Sequence, residues 1–197
     1  IHYTVIKTYD DVSFDYLNAD AFIITGSKYS VYDNAKWIDN LKLKVDDIIK
    51  LGKPILGICF GHQLLASCLG GKVEKNSKGW ELGSYEISLT KEGKTSPLFN
   101  KFNNNDIVYE SHQDVVSSLP KDAIELAYSN KGNQSFSYGD FLYGVQFHPE
   151  FSYDVTRKLM DLRLERGVKI DNDILIESIN SKNILTNFIE IVKENIQ

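Results

Sequence analysis

The chain has 197 residues, 42% of them hydrophobic and 25% charged, which is typical of a globular protein with one well-buried core. The 27 acidic residues outnumber the 22 basic ones and no basic patch stands out, so the sequence argues against a surface for nucleic acid or an anionic membrane. No apolar run approaches the roughly 18 residues of a membrane span, and two cysteines are too few for a disulfide framework, which favours a cytoplasmic location.

The first third of the chain predicts three strands and one helix. The strands are expected at residues 2–7, 21–25 and 54–58. The second strand is apolar throughout, which suits a strand buried on both faces of a parallel sheet. Apolar residues from Trp37 to Ile49 recur at helical spacing, with Asp33 or Asn34 as the expected N-cap and Gly52 at the end of the helix.

The remainder of the chain predicts short strands followed by two helices. The strands are expected at residues 72–74, 82–90, 107–111, 123–128, 134–138 and 141–147, with hairpin turns at 91–94 and 139–140. Ser152 is expected to cap a helix that runs to about residue 166, with Val155, Leu159 and Leu162 on one face. A second helix is expected around Ile184 to Val192. The pattern predicts a single α/β domain over residues 1–197, with a mainly parallel twisted sheet flanked by helices and an added small antiparallel section.

A nucleophile elbow is predicted between the strand at residues 54–58 and the helix at 61–69. Its sequence, Gly57-Ile-Cys-Phe-Gly61, has small residues two positions on either side of Cys59. The glycines allow strand and helix to approach closely around a sharp turn, and the helix N-terminus beside Cys59 favours a thiolate. The elbow alone fits esterases, peptidases and amidotransferases, because it fixes only the geometry of a nucleophile.

A cysteine nucleophile needs a base, and His148 is the best candidate among the four histidines. It follows a buried strand, where active sites of open α/β sheets gather. Glu150 lies two residues further along an extended segment, so that it points to the same side and can orient the imidazole ring. His62 and His112 are more readily explained as structural residues, and Cys68 as a small buried apolar residue.

Other residue patterns limit the remaining possibilities. Trp80 and Glu81 either line the entrance of the site or form a rigid turn. The histidines and cysteines show no metal-ligand spacing such as Cys-x-x-Cys or His-Glu-x-x-His, so that no metal or cofactor is expected.

Five segments together resemble the class I, triad-type glutamine amidotransferases, and most of all stand-alone members similar to the amidotransferase domain of GMP synthase. These segments are residues 24–32, 54–69, 79–83, 111–115 and 144–151. They occur in the family's order over most of the chain. The resemblance implies a flavodoxin-like core and hydrolysis of the glutamine side-chain amide.

The resemblance also implies roles for individual residues. Cys59 would attack the amide and form a γ-glutamyl thioester with release of ammonia, while His148 acts as base and acid and Glu150 orients it. The oxyanion hole would consist of the backbone N–H of Phe60 and one from the loop at Gly26 and Ser27. The residues implied to contact the substrate amino acid are Gln63, Ser111, Gln113 and Asp114.

The chain departs from the family pattern in two places. Gly26-Ser27-Lys28 stands where many relatives have Gly-Gly-Pro, and a bulkier loop could narrow the pocket or set its resting shape. The family fold also begins with a strand and a helix before the strand expected at residues 2–7. We therefore expect that roughly 30 or more upstream residues, one strand–helix unit, are missing.

Three functions fit the sequence. The first is a glutamine amidotransferase whose ammonia acceptor lies on a separate synthetase subunit, or that has no acceptor, because the chain has neither a Gly-x-x-x-x-Gly-Lys-Ser/Thr loop nor a Ser-Gly-Gly-x-Asp-Ser loop. The second is a γ-glutamyl peptide hydrolase acting on glutathione-like compounds, which forms the same thioester with a different leaving group. The third is a catalytically silent regulatory subunit, against which the intact Cys59, His148 and Glu150 argue.

Overall fold

The computed structural model describes residues 1–10, 16–170 and 173–196. Its helices and strands in chain order are β1 (Phe22–Ile24), α1 (Lys36–Lys50), β2 (Ile55–Ile58), α2 (Phe60–Cys68), β3 (Lys72–Lys75), β4 (Glu81–Leu89), α3 (Lys91–Thr95), β5 (Asp106–His112), β6 (Asp114–Ser118), β7 (Ile124–Tyr128), β8 (Asn133–Tyr138), β9 (Leu142–Val145), α4 (Tyr153–Glu165) and α5 (Asn183–Ile196). None of the helices within these ranges is both long enough and apolar enough to cross a membrane.

In the described part of the chain, seven strands form one sheet in the order β1-β2-β9-β8-β7-β4-β5. Strands β1, β2 and β9 pair in parallel, whereas the other four pairings are antiparallel. Strands β3 and β6 form a separate antiparallel pair. The predicted α/β class, with a helix-flanked parallel section and an added antiparallel section, is confirmed. The parallel section consists of the three strands around the predicted elbow.

Strand β2 is buried at all four positions because apolar clusters cover both faces of the sheet. Leu56 and Ile58 pack in one cluster with Ile184 and Phe188 of α5. Ile55 packs in the other cluster, which contains the buried residues of α1 and much of α2. Successive residues of a strand point to opposite faces, so a strand covered on both sides needs apolar residues throughout.

The prediction of a strand at residues 2–7 is wrong. These residues have no regular structure, and the Tyr3 and Val5 side chains are 83% and 75% exposed. The alternation of apolar and polar residues there has no buried face to stabilise it. In the described residues, β1 therefore has β2 as its sheet neighbour and lies at the edge of the sheet.

The hairpin turn predicted at residues 91–94 is also wrong, because these residues belong to the short helix α3. The Thr90 hydroxyl accepts a hydrogen bond from the Gly93 N–H at 2.9 Å and caps the helix. Gly93 is required by packing, since a Cβ atom there would lie 1.9 Å from the carbonyl oxygen of Leu126. Strand β6 is present although no strand was predicted there.

Two of the predicted helix caps can be tested. Ser152 caps α4 as predicted, accepting from the Val155 N–H at 3.3 Å. The N-cap of α1 is Ala35, which makes no side-chain capping bond, and the Asp33 carboxylate instead accepts from the Ser30 N–H within the preceding loop.

The buried face of α4 differs from the predicted one. Thr156 and Met160 are buried, while Val155 and Leu162 are 43% and 49% exposed. The Met160 side chain reaches the backbone of β4 at Gly83, where a Cβ atom would lie 3.1 Å from it.

Candidate active site

Cys59 lies between β2 and α2 in a strained backbone conformation, with φ 52° and ψ −102°. A residue with a side chain rarely adopts such a conformation, which costs on the order of 1–3 kcal/mol and is common at functional sites. The Cys59 N–H donates to the carbonyl oxygen of Val145 at 2.9 Å, which joins the turn to the end of β9.

The two glycines of the elbow are required by close packing, as the sequence pattern predicted. A Cβ atom on Gly57 would lie 2.4 Å from the carbonyl oxygen of Gly61. A Cβ atom on Gly61 would lie 2.1 Å from the carbonyl oxygen of Ile24 in β1. The start of α2 therefore lies directly against the backbone of β1 and β2, which places Cys59 at the carboxyl ends of these parallel strands.

His148 follows the carboxyl end of β9, the third strand of the parallel section. Its Nδ1 atom is 2.7 Å from Oε1 of Glu150, and its backbone N–H donates to the carbonyl oxygen of Tyr109 at 2.8 Å. The ring of Phe151 stacks on the imidazole with centroids 4.0 Å apart and planes within 5°. When Nδ1–H donates to the carboxylate, Nε2 carries the free lone pair of a base.

The nucleophile Cys59 and the imidazole of His148 both lie against Gly26. A Cβ atom on Gly26 would lie 2.9 Å from Cε1 of His148 and 3.7 Å from Cβ of Cys59. Gly26 follows β1, Cys59 follows β2 and His148 follows β9. The three residues therefore meet at the carboxyl edge of three neighbouring parallel strands, which is the usual place of a site in an open α/β sheet.

Cys59 is only 5% exposed, and burial raises the pKa of its thiol. The carboxylate of Glu110 raises this pKa further, as do those of Glu150 and Asp114, whereas a hydrogen bond from the Phe60 N–H lowers it. The predicted effect of the helix N-terminus is thus present in that one contact, but burial and the carboxylates outweigh it.

The site loop, residues 25–35, connects β1 to α1 and contains the predicted oxyanion donors Gly26 and Ser27. The Ser27 hydroxyl accepts from the Tyr29 N–H at 3.2 Å, so its side chain is engaged within the loop. The Lys28 ammonium lies 5.4 Å from the centre of the Tyr29 ring. Phe60, the other predicted donor, is the first residue of α2 and has its N–H at the Cys59 sulfur.

Of the residues predicted to bind substrate, the structure brings Gln63 and Asp114 into direct contact. The buried Gln63 amide donates to the Asp114 carbonyl oxygen at 3.1 Å and to Oε1 of Gln146 at 3.0 Å. Ser111 pairs with Leu82 within the β4–β5 ladder. The Gln113 carbonyl oxygen accepts from the Asn76 N–H at 2.8 Å.

A buried charged cluster, Glu81, Glu110 and His112, lies next to this segment. His112 Nε2 is 3.2 Å from a carboxylate oxygen of Glu81 and 3.0 Å from one of Glu110. Burial opposes the charge on His112, but the two carboxylates outweigh it and hold the pKa of its ring well above the usual range. Burial also raises the pKa of Glu110. His112 is thus the counter-ion of two buried carboxylates, and Glu81 does not line an entrance.

Sequence reasoning missed Glu110, although a signal was available. Glu110 and His112 are two residues apart at the end of one predicted strand, so they point to the same face. Charged residues are rarely fully buried unless they are paired, and Glu81 supplies the partner from the adjacent strand, directly opposite His112. Within the described residues, no group of three or more His, Cys, Asp and Glu side chains is arranged to hold a metal ion.

Comparison with known proteins finds relatives that are similar to this chain in sequence and in fold. The profile of the family described as glutamine amidotransferase class-I matches residues 1–162. Gamma-glutamyl peptidase 5 of Arabidopsis thaliana is 35% identical over 145 residues, which are 72% of this chain and 58% of the relative. A glutamine-hydrolysing GMP synthase of Pyrobaculum aerophilum is 35% identical over 155 residues, 78% of this chain and 28% of the relative.

A solved structure also matches the fold of this chain. A glutamine amidotransferase from Thermotoga maritima superposes with a TM-score of 0.73 at 29% identity, over 87% of this chain and 78% of that one. The chain spans less than two thirds of the length of the gamma-glutamyl peptidase and of the GMP synthase. The family profile nevertheless covers the elbow and the His148–Glu150 pair. The chain therefore belongs to the class-I glutamine amidotransferase family.

Proposed function

We propose that the protein hydrolyses the side-chain amide of glutamine, with Cys59 as the nucleophile. The observation that carries the proposal is the meeting of the strained elbow cysteine and the His148–Glu150 pair at Gly26. Membership of the class-I glutamine amidotransferases supports an amidohydrolase and glutamine as its substrate. It does not by itself assign the roles of the three side chains.

The first half of the reaction forms a thioester. Because burial raises the pKa of the Cys59 thiol, Nε2 of His148 takes the proton as the sulfur attacks the amide carbon. Glu150 stabilises the imidazolium through Nδ1–H. The tetrahedral oxyanion accepts hydrogen bonds from the Phe60 N–H and from the loop at Gly26. His148 then gives the proton to the amide nitrogen, the C–N bond breaks, and ammonia leaves the γ-glutamyl thioester.

The second half returns the enzyme to its resting state. Water attacks the thioester with His148 as base, the C–S bond breaks, and glutamate leaves as the thiol is reprotonated. The Ser111–Asp114 segment is proposed to bind the α-amino and α-carboxylate groups of glutamine, partly through backbone groups of Ser111 and Gln113. Gln63 supports this segment from α2 through its bond to the Asp114 carbonyl oxygen.

A γ-glutamyl peptide is the second candidate substrate. It is supported by the 35% identity to gamma-glutamyl peptidase 5. The thioester is the same, but the leaving group is the α-amine of an amino acid instead of ammonia. If glutamine is the substrate, the likeness to GMP synthase supports transfer of ammonia to a separate synthetase subunit.

The test compares wild-type protein with Cys59→Ser and the matched control Cys68→Ser, using glutamine and γ-glutamyl dipeptides as substrates. Wild type is expected to release glutamate and ammonia from glutamine. Cys59→Ser should lose on the order of 10³-fold or more of this rate, because hydroxyl oxygen is a far weaker nucleophile than sulfur at this site. Cys68 lies away from the elbow, and burial raises the pKa of its thiol to about 12, so Cys68→Ser should retain the rate.

The outcomes separate the candidates. Peptide cleavage with poor glutamine turnover would select the γ-glutamyl peptidase. Turnover that survives Cys59→Ser would contradict the mechanism. If neither substrate yields a Cys59-dependent product, even with synthetase partners added, the result would favour the catalytically silent regulatory subunit.

A further inference from the structure

Asp114 uses both of its carboxylate oxygens to hold the site loop. The Ser30 hydroxyl donates to Oδ2, and the Tyr32 hydroxyl donates to Oδ1 at 2.9 Å. Hydrogen bonds to a charged acceptor are about twice as strong as those between neutral groups. The carboxylate of Asp114, a residue that the family resemblance implies contacts the substrate, thus makes two charge-assisted bonds to the site loop.

The backbone of Asp114 is itself fixed to the centre of the site. Its carbonyl oxygen accepts from the Gln63 amide at 3.1 Å and lies 2.9 Å from Nδ1 of His112. Gln63 is one helical turn after Cys59, and its N–H donates to the Cys59 carbonyl oxygen. His112 is held in turn by the two buried carboxylates of the charged cluster. The position of Asp114 relative to the nucleophile is therefore set by buried contacts.

The site loop has a second set of anchors on its other side. Val31 is buried, its carbonyl oxygen accepts from the Lys42 ammonium at 2.8 Å, and Tyr29 packs edge-on against Trp37 of α1. These contacts fix the loop to α1, but none of them joins it to the segment at residues 111–114. Among the contacts described here, the bonds from Ser30 and Tyr32 to Asp114 are the ones that connect the site loop to the segment at residues 111–114.

We propose that Asp114 is a positioning residue that clamps the site loop, so that the oxyanion donor at Gly26 and Ser27 is placed by the same residue that borders the substrate subsite. The inference rests on the proposed function, because it assigns the loop to oxyanion stabilisation. Occupation of the Ser111–Asp114 segment by substrate is thereby linked to the placement of the oxyanion donor. Asp114 acts on the reaction through its two bonds to the loop.

Tyr32→Phe is the most selective test, because it removes one hydroxyl from a ring that is 52% exposed, and we expect the fold to be retained. We expect kcat to fall about tenfold with little change in KM, in line with the loss of one hydrogen bond to a charged group. Ser30→Ala should have a similar effect. The matched control is Tyr29→Phe, which removes a hydroxyl from the same loop without touching Asp114 and should keep the wild-type kcat.

Three further measurements separate clamping from a general structural role. Binding of L-glutamate γ-semialdehyde, whose adduct with Cys59 carries an oxyanion, should weaken about as much as kcat falls. Alkylation of Cys59 by iodoacetamide, which needs no oxyanion hole, should keep its rate. In an Asp114→Ala background, Tyr32→Phe should have no additional effect, because the acceptor is already absent.

Amide hydrogen exchange of peptides covering residues 22–35 gives a readout that needs no turnover. We expect faster exchange in Tyr32→Phe and Ser30→Ala than in wild type or Tyr29→Phe. Equal exchange and equal kcat in all four proteins would overturn the clamp. If wild type hydrolyses neither glutamine nor γ-glutamyl peptides, the proposed function fails, and the exchange comparison still decides whether Asp114 holds the loop.

Discussion

His62 shows how burial can set the charge state of a titratable side chain in this protein. It lies in α2, three residues after Cys59, is fully buried, and packs against the Phe136 ring with centroids 5.0 Å apart. Burial lowers the pKa of His62 to about 3, and the charge of the nearby His112 lowers it further. The ring is therefore neutral across the physiological range, which agrees with the structural role predicted from the sequence.

This pKa predicts a pH dependence of stability. In the unfolded chain His62 titrates near 6.5, above its folded value, so protons bind the unfolded state more tightly. The contribution of His62 is present above pH 6.5 and is lost as the pH falls from 6.5 towards 3. Between pH 7.5 and 5.5 the loss of this contribution should lower the free energy of unfolding by roughly 1 kcal/mol. His62→Leu should lack this loss, and urea unfolding of both proteins across that interval measures the difference. Equal pH slopes would contradict it.

Residue pairs were predictable from sequence only where the two members lie close together along the chain. The contact of His148 with Glu150 at 2.7 Å was predicted for an extended segment, but residues 148–151 form a turn, in which the Phe151 N–H donates to the His148 carbonyl oxygen at 3.2 Å. The ion pair of His112 with Glu81 joins two strands and depends on the β4–β5 register, which the local sequence does not reveal. The same limit applies to the bonds from Ser30 and Tyr32 to Asp114, which span more than 80 positions.

At the scale of elements, the elbow could be predicted because its glycines are determined by local packing. Both β2 and α2 were expected near their observed bounds, and Gly57 and Gly61 lie against backbone atoms. Strand β6 and helix α3 were missed for two different reasons. Strand β6 is stabilised by pairing with β3, far away in sequence. Helix α3 depends on the Thr90 cap, whose signal was overridden by the turn-like Lys-Glu-Gly-Lys sequence.

The glycines at the site predict two distinguishable effects of adding one methyl group. In Gly26→Ala the new Cβ would lie 2.9 Å from Cε1 of His148, a side chain that can shift, so the fold should survive. A shift of the imidazole by a few tenths of an ångström to 1 Å misaligns the base, and turnover should fall by up to about 10²-fold. Steady-state kinetics and the melting temperature measure both effects.

Gly61→Ala is the matched comparison for this prediction. Its Cβ would lie 2.1 Å from the backbone oxygen of Ile24, which cannot move without displacing β1, so this variant should lose stability first. Normal turnover in Gly26→Ala, or an unchanged melting temperature in Gly61→Ala, would contradict the packing interpretation of the respective glycine.

At the scale of the whole molecule, the sequence predicted the fold class but not the order of the strands. Every strand except β6 was recognised by its composition, and the parallel section by the apolar runs that two-sided burial requires. The β2–β9 and β4–β7 pairings join distant segments, which no local pattern encodes, whereas β8 and β9 are consecutive strands joined by the turn predicted at 139–140. The face of α4 was mistaken for a related reason, because Met160 is buried by a cluster containing Leu82 of β4 and Tyr109 of β5.

The apolar cluster beneath the elbow links the C-terminal helix to the stability of the whole protein. Ile184 of α5 is fully buried in the cluster that contains Leu56, Ile58 and Cys59. Ile184→Ala should therefore lower the free energy of unfolding by about 2–5 kcal/mol, since it removes buried methyl groups and leaves a cavity. Urea denaturation followed by intrinsic fluorescence measures the change.

A matched control for Ile184 lies five residues earlier in the chain. Ile179 is 71% exposed, so Ile179→Ala makes the same chemical change without a cavity and should alter stability by no more than about 0.5 kcal/mol. Because Cys59 belongs to the same cluster as Ile184, the destabilised variant should also open the elbow more often. Alkylation of Cys59 by iodoacetamide should then be faster in Ile184→Ala than in Ile179→Ala. Equal stabilities of the two variants would show that α5 does not contribute to the core that supports the elbow.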